Sequence, residues 1–189
     1  MAIFTSPTAR LMRALLRPDL ARDERGATAI EFGLLAVPFF AIVGAILETA
    51  MVFLAGEVLD SAVNDANRKI LTGQAQSAGY DLTAFRSDVC AHTWGLFDCA
   101  NIHFRVTTVN DFATASVVPP VASDCEAPCD WDAVQLFDPG QGSSVVLVQA
   151  YYKWPTILDF GGFNLATLPD GSRLLATVRV FRNEPFTAS

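Results

Sequence analysis

Between Phe32 and Leu47 the chain carries no charged residue, and Glu31 stands immediately before that run. Glu48 interrupts it, and Thr49 to Gly56 is again uncharged. A membrane-spanning helix takes roughly 20 mostly apolar residues, and the segment from Ala27 to Gly56 clears that length. Mean hydropathy over the chain is +0.32, and the excess is concentrated here. A carboxylate at the mouth of such a segment is costly, which makes Glu31 a functional-site hypothesis by default. The expected organisation is a basic leader over 1–26, a membrane span over 27–56 and an exported domain over 57–189.

Charge gives the orientation. The leader holds five arginines (Arg10, Arg13, Arg17, Arg22, Arg25) against Asp19, Asp23 and Glu24, a net of +2. Residues 57–189 hold eight basic and fifteen acidic residues, a net of −7. Basic residues flanking a span stay cytoplasmic, so the reading is N-terminus in and C-terminal domain out. An acidic outer domain argues against nucleic acid, which needs a basic face. An ordinary signal peptide has an apolar core of about 7–15 residues followed by a small-residue cleavage site. Here the run is about twice as long and continues as helix, which disfavours that reading.

Beyond Gly56, Val58, Leu59, Ala62, Val63, Ala66, Ile70 and Leu71 recur at helical spacing, with Asp60, Asn64, Asp65, Asn67 and Arg68 between them. One helix from about Ala27 to Thr72 is expected, bent at Pro38 and capped by Gly73. Gln74 to Gly79 reads as a turn. Asp81 to Ala91 reads as a second helix with Leu82, Phe85 and Val89 on one face. Asn101 to Val109 alternates as a half-buried strand, and residues 110–143, rich in Pro, Asp, Ser and Gly, read as a long loop. Ser144 to Trp154 and Leu174 to Phe181 are the remaining strands. The fold class is α+β: a long N-terminal membrane-spanning helix that continues into an exported domain with a short second helix and a small antiparallel sheet of about three strands.

Cys90, Cys99, Cys125 and Cys129 all lie in the exported part. An even number of cysteines in such a domain suggests disulfides. Of three possible pairings, sequence order favours Cys90–Cys99 and Cys125–Cys129, because short loops close at least entropic cost. The competing reading is zinc with His92 and His103, but the spacing matches no zinc pattern well. Asp124, Glu126, Asp130 and Asp132 do not follow a calcium-loop spacing and read as a solvated loop. No cofactor is implied. Neither histidine sits in a nucleophile motif, so no enzyme is expected. Glu48 falls near the outer edge of the span, either as an interfacial carboxylate or facing a partner's polar group.

Gly26, four residues and then Glu31 resemble the processing site of type IV prepilins: a short basic leader ending in Gly, with an apolar helix beginning around the glutamate. Glu31 followed by Phe32 is similar to the G-x4-E-Y form of the Flp/Tad branch, with Phe in place of Tyr. The segment from Arg22 to Phe40 resembles TadE-like pilus-assembly proteins over about residues 22–65. The resemblance implies a minor pilin or pseudopilin of the inner membrane, cut between Gly26 and Ala27 by a prepilin peptidase. Its implied partners are other Tad pilus subunits and inner-membrane platform proteins, and its pilin-like domain would be periplasmic or carried into the fibre. The cut is chemically intelligible. Gly26 has no side chain, so catalytic groups can approach closely. The new α-amino group, with a pKa of about 7.7–8.0, is largely cationic and lies one helical turn from Glu31. In pilin-like assemblies that glutamate is thought to pair with the amino group of a neighbouring subunit. The alternatives are a snorkelling Glu31 on an ordinary anchor, and an unprocessed membrane-anchored extracytoplasmic binding module.

Overall fold

A computed structural model of the protein describes residues 27–117, 119–122, 124–159 and 164–187. The leader, Gly26 included, lies outside them. The described residues fall into two compact units that divide between residues 45 and 46.

Helix α1 spans Ala27–Leu71 and runs through Pro38. In the first unit its large apolar side chains Ile30, Phe32, Leu34, Leu35, Val37, Phe39, Phe40 and Ile42 are all exposed. Among the described residues this is the one helix long and apolar enough to cross a membrane. An apolar surface of this extent needs lipid or another chain against it.

In the second unit α1 becomes a core element. Val52, Ala55, Leu59, Ala62, Val63, Ala66 and Ile70 are buried at the three- and four-residue spacing of one helical face. Asn67, whose neighbours suggested the solvated face, is buried with them. Gly73 ends the helix in the left-handed region at φ 80°, and the amide of Glu184 donates to the carbonyl of Leu71 at 2.9 Å. The expected turn after Gly73 contains one helical turn, α2 (Gln74–Ser77). Helix α3 (Leu82–Ala91) starts where Asp81 accepts a hydrogen bond from the amide of Ala84 at 2.7 Å. Its Phe85 and Val89 enter the core.

The sheet has four strands rather than three, and it is mixed: β1 (His103–Val109), β2 (Leu136–Phe137), β3 (Val145–Pro155) and β4 (Ser172–Arg182), in the order β2-β1-β3-β4. β3 pairs antiparallel with β1 and β4, whereas β2 pairs parallel with β1. The additional strand comes out of the long loop. A two-residue strand leaves no alternation to read, and its pairing is set by contacts: Phe137 against Phe85, ring centroids 5.3 Å apart.

β3 is paired along both edges, and over residues 145–152 both of its faces are buried. Val146, Val148, Ala150 and Tyr152 join the core that holds α1 and α3. The opposite face carries Leu147, Gln149 and Tyr151, also buried, together with His103 and Arg105 from β1, the register partners of Tyr151 and Gln149. The long loop meets that face. Trp131 stacks on His103 with ring centroids 4.7 Å apart, and Arg105 donates to the carbonyl of Val134 at 3.3 Å.

Candidate functional site

The residues singled out by sequence fall into three groups. The first is the processing segment. Gly26 lies outside the described residues. Ala27 opens α1, and Glu31 and Phe32 follow on it, both exposed. Residues four apart share a helical face, so the backbone nitrogen of Ala27 and the carboxylate of Glu31 are one turn apart along α1. Phe32, Leu35, Ala36, Phe39 and Phe40 line an open apolar groove of about 240 Å³. These positions recur at helical spacing, the pattern of a face that another apolar helix can lie against.

The second group is the cysteines. Cys90 is bonded to Cys99 and Cys125 to Cys129. The first bridge joins the end of α3 to the turn before β1, and the second closes a small ring in the loop on the far face of the sheet. Arg86 reinforces the first junction. Its guanidinium donates to the carbonyls of Cys99 at 2.8 Å and Ile102 at 2.7 Å, and to the side-chain oxygen of Gln135 at 2.6 Å.

The third group is the two histidines and the acidic residues of the long loop. Among the described residues no three His, Cys, Asp or Glu side chains come together in a metal-binding arrangement. Asp124, Glu126, Asp130 and Asp132 are exposed. His92 bonds through Nδ1 to the backbone oxygen of Asp88 at 2.9 Å. His103 is buried, with Nε2 2.5 Å from the carbonyl oxygen of Ala133. Burial pushes its pKa below the ordinary 6.5, and the Arg86 charge adds to this, outweighing the opposing pull of the Ala133 carbonyl.

Glu48 is the residue whose setting the sequence did not disclose. Its carboxylate is engaged by the connection between β3 and β4. Oε1 accepts from the amide of Ile157 at 2.5 Å, and both oxygens accept from the amide of Leu158 at 3.2 Å. Asp60, twelve residues further along α1, is similarly engaged and accepts from the Thr177 hydroxyl and the Arg179 guanidinium of β4.

Compared with known proteins, residues 26–68 match the family model of TadE-like proteins. The matched segment contains Gly26, Ala27, Glu31 and Phe32 and extends through the part of α1 buried in the second unit. No curated protein and no solved structure matches the chain.

Proposed function

We propose that the chain is a minor pilin or pseudopilin of a Tad-type pilus, held by one span in the bacterial inner membrane with its sheet domain on the periplasmic side. A prepilin peptidase cuts it between Gly26 and Ala27. It works by assembling with other subunits and with the platform proteins, and it performs no catalysis of its own. The observation that carries this reading is the match to TadE-like proteins over residues 26–68, on a helix whose first unit is apolar and uncovered and bears a single carboxylate, Glu31.

The physical role of the cut follows. Before it, Glu31 is a lone carboxylate at the head of an apolar helix. After it, an ammonium group appears at Ala27, and Glu31 can pair with the equivalent group of a neighbouring subunit. In a low-dielectric setting either charge alone is strongly penalised, and pairing offsets part of that cost. The pair therefore acts on register: a neighbour out of step leaves two buried charges unmatched.

The test is the N-terminal mass of the chain recovered from cells making Tad pili, with and without the peptidase. The expected result is loss of residues 1–26 only when the peptidase is present, slowed or blocked by Gly26→Ala. Glu31→Gln should still be cut but should reduce recovery of the protein with pilus components. An intact N-terminus in peptidase-positive, piliated cells would sink the processing claim.

A further inference from the structure

Glu48 is the first charge after the uncharged run, and two backbone amides of the β3–β4 connection converge on it. Glu48 lies where a hydrocarbon core of roughly 20 residues counted from Ile30 would end. The connection it holds presents Ile157, which is 87% exposed and is among the most exposed large apolar side chains described. Around Glu48 on α1, Ile46, Leu47, Met51, Phe53 and Leu54 are exposed as well. All these residues belong to the second unit. They form an apolar collar continuous in sequence with the exposed apolar segment that needs lipid or another chain against it.

We propose that Glu48 clasps the start of the β3–β4 connection so that Ile157 seats in the headgroup layer of the bilayer, giving the exported domain a second membrane contact besides its span. The inference rests on the membrane-anchored reading of the chain. Three observations favour lipid as the occupant. The collar includes the end of a run that is uncharged from Phe32 to Leu47. The amides of Ile157 and Leu158 are already paired with Glu48, which removes the cost that otherwise keeps irregular backbone out of lipid. Asp159, exposed two residues on, limits the depth to the interface, since a carboxylate is expelled from the hydrocarbon. The clasp also accounts for Glu48 within an otherwise apolar stretch, because its lone pairs meet N–H donors.

The experiment uses the full chain in vesicles of phosphatidylethanolamine and phosphatidylglycerol, spin-labelled at one added cysteine. Labels are placed at Ile157→Cys, at Ile46→Cys and at the exposed Ala113→Cys, and collisions with oxygen are compared with those of a water-soluble nickel chelate. The oxygen-to-nickel ratio at 157 should be several-fold above that at 113. Glu48→Leu should bring it down to the value at 113, while Glu48→Gln, which keeps an acceptor, should retain most of it. If 46 reports lipid but 157 reports water, the seating is overturned and the anchor stands. If 46 also reports water, the anchored reading itself fails. A label at 157 shielded from both reagents means that protein covers the collar, and an unchanged ratio in Glu48→Leu means that the clasp does not position the loop; either overturns the proposal.

Discussion

At the scale of single residues, two buried polar side chains carry opposite lessons. His103 is buried as the neutral ring, stacked on Trp131 and bonded to Ala133. Its folded pKa lies below the unfolded value of 6.5, so below 6.5 the unfolded chain takes up more protons than the folded one. The contribution of His103 is therefore complete above 6.5 and is lost as pH falls from there towards the folded pKa. The thermal midpoint should drop as pH is lowered from just above 6.5 to about one unit below it, and His103→Gln should flatten that slope. A wild-type midpoint that stays level across the interval would refute the assignment. Asn67, by contrast, is only 4% exposed, and among the described residues neither polar atom of its amide meets a hydrogen-bond partner. A buried amide left unsatisfied costs about 1–3 kcal/mol. Asn67→Leu, similar in volume, should raise the denaturation midpoint by roughly 1 kcal/mol in free energy. A loss of stability would mean that the amide has a partner in solution.

At the scale of elements, the end of α1 depends on one glycine. Gly73 adopts φ 80°, and a Cβ there would stand 2.7 Å from the ring of Phe186. The left-handed conformation alone costs a non-glycine residue roughly 1–2 kcal/mol, and the ring contact adds to it. Gly73→Ala should thus destabilise by about 2 kcal/mol or more, read from chemical denaturation, and Phe186→Ala should recover part of the loss in the double variant. If the two changes simply add, the ring is not the obstacle. Gly73 was legible as a helix stop, but Phe186 was not, because it lies more than a hundred residues away in the chain. The same division runs through the fold. α1, α3, β1, β3 and β4 were legible because each is long enough to show its period. β2 was not, since Leu136 and Phe137 sit among loop residues and are strand only through their pairing with Arg105 and Val106. At the candidate site, the resemblance to TadE-like proteins was legible because the segment that carries it is local. Glu48 and Ile157 were not, since nothing in either segment names the other.

At the scale of the whole molecule, hydropathy and packing divide the chain at different places. Hydropathy changes at Gly56, where the uncharged stretch stops. The compact second unit already begins at Ile46, because Val52 and Ala55 are buried in its core at 5% and 0% exposure and Glu48 holds the amides of residues 157 and 158. The residues between 46 and 56 therefore serve two surroundings at once: an outward side that is exposed and apolar, and an inward side that completes the domain. Fully burying a valine contributes about 1.5–3 kcal/mol, an upper figure because a real unfolded chain already hides part of that surface. A fragment of residues 46–189 in detergent micelles should consequently resist urea better than residues 57–189 under the same conditions, by at least about 2 kcal/mol. Glu48→Leu in the longer fragment should give up part of that margin. Equal midpoints for the two fragments would show that the domain is complete without the outer end of the span. The measured margin instead expresses how tightly domain and anchor are coupled: a pull on the helix at this level is felt by the core through Val52 and by the β3–β4 connection through Glu48.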